Sequence, residues 1–190
     1  MFFRFFRRLG WLIGHILYTF EVTGIENVPK EGAFLLCSNH IHAFDPVALA
    51  IFMKRDMHFM AKAELFRNRV LRFFMRGWNA YPVNREITDL EAFRTTIKLL
   101  KGGQPVLIFS QGTRMKEFEN AKSGVAVFAI KTGTPIVPVG ISGSYAFRTK
   151  IRINFGAPIP VDKYEGKKAN PENIDELMQI VVEKVTALTA

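Results

Sequence analysis

From residue 33 onward the chain alternates between two hydrophobic periods. The segments AFLLCS (33–38), MHFMAK (57–62), PVLIFS (105–110), TPIVPVGISG (134–143) and IRINFGAPI (151–159) read as strands, most of them continuously apolar and buried. Between them, VALAIFMK (47–54), ELFRNRVLRFFMRG (64–77), TDLEAFRTTIKLLKGG (88–103), AKSGVAVFAIKTG (121–133) and PENIDELMQIVVEKVTALTA (171–190) carry apolar residues at helical spacing. YTFEVTGIENVP (18–29) reads as a strand running into a turn, and NAYPVNR (79–85) as a short extended segment. Strands that alternate with helices predict an α/β fold: a largely parallel central sheet flanked by helices, with the site at the carboxyl ends of the strands.

Local chemistry sharpens the boundaries. Asp45 followed by Pro46 marks a helix start, since Asp caps free N–H groups and Pro fits the first turn. Thr88 or Asp89 caps the next strong helix, and Gly102-Gly103 stops it. Gly77 ends the helix before it, and Pro171 opens the last one with acids in its first turn. The loop QGTRMKEFEN (111–120) is polar. Internal repeats and low-complexity segments are absent, so the chain divides into residues 1–20 and one α/β domain, 21–190.

Residues 1–20 follow a different pattern. On a helical wheel Phe2, Phe5, Phe6, Leu9, Leu12, Ile13, Ile16 and Leu17 share one broad face. Arg4, Arg7, Arg8, Trp11, His15 and Tyr18 gather on the other, and no acid precedes Glu21. That is the pattern of an amphipathic interfacial helix, apolar face in the acyl boundary and arginines toward anionic headgroups. The arginines interrupt any run long enough to span a bilayer, which takes roughly 20 residues. Phe precedes the arginines and ILYTFEVTG lacks a small-residue cleavage site, unlike a signal peptide. Packing on the protein's own core is the alternative reading.

Composition adds to this. The chain has 190 residues, a formal net charge of +9 and eighteen phenylalanines, so its partners are anionic: nucleic acid, lipid headgroups or phosphorylated substrates. The phenylalanines sit in helical patterns and beside strands rather than interleaved with bases on an exposed sheet, which favours acyl-chain contact over nucleic acid. The single cysteine, Cys37, excludes an intramolecular disulfide and a multi-cysteine zinc site, and reads as a small buried hydrophobe.

Candidate chemistry begins at SNHIHAFDP (38–46). His40 follows a strand and Asp45 starts a helix, so a short loop can bring carboxylate to imidazole. The carboxylate would set the tautomer and stabilise the imidazolium that forms when the ring takes a proton. Two other readings stand beside this: Asp45 as a mere N-cap with incidental histidines, and a metal held by His40, His42 and Asp45. A Ser–His–Asp hydrolase needs a serine on a sharp Gly-x-Ser-x-Gly turn, and neither Ser38, Ser110 nor Ser142 has that context. Further on, FSQGTR (109–114) ends a strand with Gly112 for close backbone approach, the Thr113 hydroxyl and the forked Arg114. GWNAYPVNR (77–85) ends in Arg85, and Lys62 follows another strand. Several cations near strand ends point to an anionic ligand, although each alone is an ordinary solvated cation.

Together these blocks resemble the glycerolipid acyltransferase family, most of all its bacterial members acting on 1-acyl-sn-glycerol-3-phosphate. Asn39, His40 and Asp45 match the family's Asn-His-x4-Asp. Gly77 and Arg85 match its second block loosely. Phe109, Gly112, Thr113 and Arg114 match Phe-Pro-Glu-Gly-Thr-Arg, and Val137, Pro138 and Val139 match its Val-Pro-Val/Ile strand. The resemblance implies that His40 is the general base, Asp45 its partner, and Arg85, Gly112, Thr113 and Arg114, with Lys62 nearby, the phosphate-binding set. It implies transfer of a fatty acyl chain to the sn-2 hydroxyl of lysophosphatidic acid, giving phosphatidic acid. The co-substrate would be acyl-CoA or acyl-acyl-carrier-protein, with no cofactor and no metal. Expected partners are an anionic membrane surface, the lysophospholipid and the donor carrier (coenzyme A or acyl carrier protein), not nucleic acid. The expected location is peripheral or monotopic on the cytoplasmic face of the cell membrane, where residues 1–20 would supply the family's N-terminal docking motif. Ser110 and Gln111 stand where the family usually has Pro and Glu, which bears on the choice of acceptor rather than on the reaction class. Acylation of another lyso-lipid and non-catalytic phospholipid binding are the alternatives.

Overall fold

The structure, a computed structural model, describes residues 2–84, 87–109 and 118–190. It opens with helix α1 (Phe2–Leu17) and strand β1 (Thr19–Thr23). Strand β2 (Leu35–Ser38), helix α2 (Asp45–Phe52), strand β3 (His58–Lys62), helix α3 (Arg69–Gly77) and strand β4 (Ala80–Val83) follow. Then come helix α4 (Leu90–Lys101), strand β5 (Val106–Phe109), helix α5 (Phe118–Thr132), strands β6 (Ile136–Gly143) and β7 (Lys150–Phe155), and helix α6 (Pro171–Ala187). The strands form one 7-stranded sheet in the order β1-β7-β6-β2-β5-β3-β4. β6, β2, β5, β3 and β4 run parallel to one another, whereas β7 runs antiparallel to β6 and β1 parallel to β7. The expected largely parallel sheet is therefore present, with an edge pair running the opposite way.

Strand side chains alternate between the faces, as the pleat requires. On β2, Leu36 joins the core beneath α1 and α2, with Leu49, Met53 and Trp78. Leu35 and Cys37 join the opposite core with Leu100, Val125, Leu177 and Val181. Cys37 is thus the small buried hydrophobe expected of it. Two prolines sit inside strands without breaking ladders. Pro82 lies on the edge strand β4. Pro138 lies in the interior strand β6, but its carbonyl accepts from the Gly156 N–H (2.9 Å) just past the end of β7.

Several boundaries differ from the periodicity. Residues 64–77 are not one helix: a 3-10 turn (Ala63–Phe66) precedes α3, and the Asn68 side chain caps α3 by accepting from the Val70 and Leu71 N–H groups. Of the two candidate caps for α4, Asp89 holds the role, accepting from the Ala92 N–H at 2.9 Å. α5 begins at Phe118, before the expected Ala121. α2 ends at Phe52 rather than Lys54.

α1 packs on the domain through a stripe that takes Phe6 from the wheel's apolar face but otherwise lies beside that face. Phe3 and Phe6 are buried against Trp78. At Gly10 a Cβ would stand 2.7 Å from the Trp78 ring, and at Gly77 one would stand 2.5 Å from the Phe6 ring, so both glycines are there for close approach. The Arg7 guanidinium donates to the Met53 carbonyl (2.6 Å). Of the predicted apolar face, Phe6 is turned inward and Leu17 is half-buried, while Phe5, Leu9, Leu12, Ile13 and Ile16 remain exposed. No described helix is long and apolar enough to cross a membrane.

Candidate active site

β2 ends at Ser38, and the next side chain extends its ladder. Asn39 Nδ2 donates to the Ile141 carbonyl (2.8 Å), and Asn39 Oδ1 accepts from the Ile141 N–H (2.7 Å). This buried amide pins the exit of the strand to β6 and so sets where His40 begins. His40 Nδ1 lies 2.6 Å from Asp45 Oδ2. The imidazole also stacks on Phe109, at the end of β5, with ring centroids 4.3 Å apart. One contact holds the ring in its plane and the other holds it from above. The His40 side chain is 24% exposed and that of Asp45 fully buried, so the base reaches solvent while its partner does not.

Asp45 is saturated with donors. Its Oδ2 also accepts from the backbone N–H groups of Ile41 (2.7 Å) and His42 (2.8 Å), and its Oδ1 accepts from the Tyr145 hydroxyl (2.7 Å). Burial pushes the carboxyl pKa up, but the bonds from His40, the His42 N–H, Tyr145 and the Ile41 N–H outweigh it and hold the group below its usual range. Burial, together with donation to this carboxylate, pushes the Tyr145 phenol far above its usual range, so it stays a donor. An ionised carboxylate only accepts. Nδ1 of His40 therefore carries the proton, and Nε2 of the neutral ring carries the lone pair. The arrangement can take a proton at Nε2 and stabilise the imidazolium that results.

The expected capping role of Asp45 is corrected here. Asp45 is the first residue of α2, its N-cap position is held by Phe44, and no side chain caps that end. The carboxylate folds back over the preceding loop instead, because two loop N–H groups and His40 lie within its reach. His42 stacks on Tyr145 (4.4 Å), and its Nδ1 accepts from the Phe44 N–H (3.3 Å), so it braces the loop. Among the described residues no group of three or more His, Cys, Asp or Glu is placed to hold a metal ion. Ser38 is fully buried and Ser142 lies within β6, so neither sits on a nucleophile turn.

Lys62 is exposed at the last position of β3, on the sheet edge where β2 and β5 also end. β3 lies two places from β2, about 10 Å across the sheet at the usual strand spacing. Arg85, Gly112, Thr113 and Arg114 lie outside the described residues. Two contributors escaped the sequence reading. In the sequence Phe109 is a motif letter, and only the fold makes it a stacking platform for His40. Tyr145 carries a single sequence signal, an aromatic residue two positions past a strand that ends beside the site. Tyr18, immediately after α1, packs edge-on against Tyr145 (5.4 Å), linking that helix to the dyad. Ile41, Phe44 and Phe147 form an exposed apolar rim along the loops that carry the dyad and Tyr145.

A family model described as Acyltransferase matches residues 19–142. The chain is 34% identical over 145 residues to the 1-acyl-sn-glycerol-3-phosphate acyltransferase of Bacillus subtilis (strain 168), covering 73% of each. It is 30% identical over 158 residues to the protein of the same name from Streptococcus pneumoniae, covering 79% of this chain and 58% of that one. The crystal structure of a 1-acyl-sn-glycerophosphate (LPA) acyltransferase from Thermotoga maritima superposes with a TM-score of 0.73 at 24% identity, covering 99% of this chain and 80% of that one. At that identity the likeness speaks for the fold.

Proposed function

This chain belongs to the acyltransferase family, and we infer that it transfers a fatty acyl chain from an acyl thioester to the sn-2 hydroxyl of lysophosphatidic acid, giving phosphatidic acid. The observation that carries the mechanism is the 2.6 Å contact between His40 Nδ1 and the ionised, buried Asp45. His40 Nε2 takes the proton of the acceptor hydroxyl as its oxygen attacks the thioester carbonyl. The tetrahedral adduct collapses, the C–S bond breaks, and the imidazolium returns the proton to the departing thiolate. Asp45 stays ionised throughout and lowers the cost of the imidazolium. Lys62 at the end of β3, with Arg85, Gly112, Thr113 and Arg114 from the segments after β4 and β5, holds the acceptor phosphate. That contact fixes the distance from phosphate to attacking hydroxyl. The donor is acyl-CoA or acyl-acyl-carrier-protein.

Residues 1–20 dock the α/β domain of residues 21–190 on the cytoplasmic face of the membrane as a peripheral protein. The support is physical. α1 has already buried Phe3 and Phe6, yet it leaves Phe5, Leu9, Leu12, Ile13 and Ile16 exposed, with Arg4 and Arg8 also exposed on the helix. An apolar stripe with a basic flank is what an interfacial helix presents. Its carboxyl end leads through Tyr18 to Tyr145 and the dyad, so a docked helix brings the site to the lipid.

His40→Ala tests the reaction. Turnover of lysophosphatidic acid with either thioester donor falls by about 10²–10⁴-fold while the melting temperature stays near that of the parent. Near-normal acyl transfer by the purified variant would refute the role given to His40 and favour a phospholipid-binding module.

A further inference from the structure

α3 carries a surface that the catalytic reading does not use. Of its nine residues only Gly77 is buried. Val70, Leu71, Phe73 and Phe74 are 63%, 42%, 53% and 43% exposed. An isolated helix this short is marginal in water. Here its supports include the Asn68 cap, the half-buried Met75 and the Phe6 ring of α1, which meets Phe73 and Phe74 edge-on at 5.9 and 5.7 Å. At 100° per residue Arg69, Arg72 and Arg76 fall on one arc, and Val70, Leu71 and Phe74 on the remainder. Among the described residues none of these arginines pairs with a carboxylate. Arg69, Arg72 and Arg76 line, with Phe73, an open hollow of about 360 Å³.

We propose that α3 is a second membrane-docking element, whose arginine arc binds anionic lipid headgroups while Val70, Phe73 and Phe74 enter the acyl boundary. Charge complementarity and continuity carry the proposal. Phe6 bridges from α3 to Phe5 (5.7 Å), so the exposed apolar surfaces of α1 and α3 meet. A second copy of this chain would set arginines against arginines across a two-fold axis. An acidic protein would satisfy the arginines but leave the apolar surface, which runs on along α1, uncovered. α3 also lies just beyond the 3-10 turn that follows β3, whose carboxyl end points the same way as that of β2, where His40 begins. Docking at two helices would fix the tilt of that end of the sheet toward the lipid, where one helix leaves it free to roll.

The proposal rests on the membrane-docked reading above, and the test separates the two. Co-sedimentation is measured on phosphatidylcholine vesicles with and without phosphatidylglycerol, at low and high salt. The triple variant Arg69→Gln/Arg72→Gln/Arg76→Gln should bind phosphatidylglycerol vesicles on the order of 10²-fold more weakly at low salt, as expected for losing three cations at an anionic surface. The matching triple lysine variant should bind within a few-fold of the parent, which separates charge from folding. Val70→Ser/Phe73→Ser should lose affinity for both vesicle types. If the parent binds neither vesicle, the membrane reading itself falls and takes this proposal with it. If the parent binds, Leu12→Ser/Ile16→Ser loses binding and the glutamine variant does not, the membrane reading stands and α3 has no part in it. If the glutamine variant keeps its vesicle affinity but loses turnover only with the acyl-carrier-protein donor, the arc belongs to that acidic protein and the proposal is overturned.

Discussion

The two terminal helices are both amphipathic, both long and both packed on the same domain, yet they dispose of their apolar residues in opposite ways. α6 turns Leu177, Met178, Val181 and Val185 into the core. It shows solvent Asp175, Gln179, Glu183 and Lys184. α1 turns in Phe3, Phe6, Gly10 and Gly14 and leaves six large apolar side chains outside. Both wheels look alike in the sequence, because hydrophobic periodicity reports that an apolar face exists and not what covers it. The contrast shows that α1 carries more apolar surface than the domain can bury, and that surplus is what a lipid phase would cover.

The largest effect that would break this contrast lies on α6. Leu177 is fully buried, so Leu177→Ala should cost about 2–5 kcal/mol and lower the melting temperature by roughly 5–15 °C. The surviving folded protein should bind vesicles as the parent does. If Leu177→Ala proved nearly silent in melting, α6 would not be a core helix. The counterpart on α1 is smaller and of another kind. Leu12→Ser/Ile16→Ser should shift the melting temperature by no more than about 2–4 °C. It should weaken vesicle binding about 10²-fold, the value of withdrawing roughly 3 kcal/mol of apolar burial. A large loss of thermal stability with unchanged vesicle binding would make α1 an ordinary core helix.

How much of this was legible beforehand follows the same division. Strand and helix positions could be read because burial imposes a period, and the dyad because His40 and Asp45 are close in sequence and match a family block. Strand direction could not, since β7 alternates the same way whether it runs with β6 or against it. The break at Asn68 was invisible because ELFRNRVLRFFMRG keeps helical spacing through a residue that serves as a cap. The inner stripe of α1 was missed because Gly10 and Gly14 count as neutral on a hydropathy scale but pack as flat surface. Both jobs that the sequence suggests for Asp45, helix cap and partner of His40, are local, whereas Tyr145, one hundred positions away, supplies a bond that no local rule foresees.

Tyr145 also offers the smallest and sharpest test of what distinguishes α1 from α6. The carboxyl end of α6 lies against β6, where a Cβ on Gly140 would meet Leu188, and touches no part of the dyad that the structure describes. The carboxyl end of α1 reaches Asp45 through Tyr18 and Tyr145. Tyr145→Phe keeps the ring and deletes one donor to the carboxylate, which should cost about 1–2 kcal/mol of stability and up to about tenfold in turnover. The pH dependence identifies the cause. A carboxyl whose folded pKa lies below its unfolded value adds stability that is complete above the unfolded value and is lost as pH falls through the folded one. Losing the Tyr145 bond raises the folded pKa of Asp45, so the acid-side fall in melting temperature should begin at higher pH in the variant. Melting curves from neutral pH down through the carboxylate range would show it. A variant whose curve overlays that of the parent would mean that Tyr145 fills space beside the dyad without tuning it, and that α1 serves the site only as an anchor.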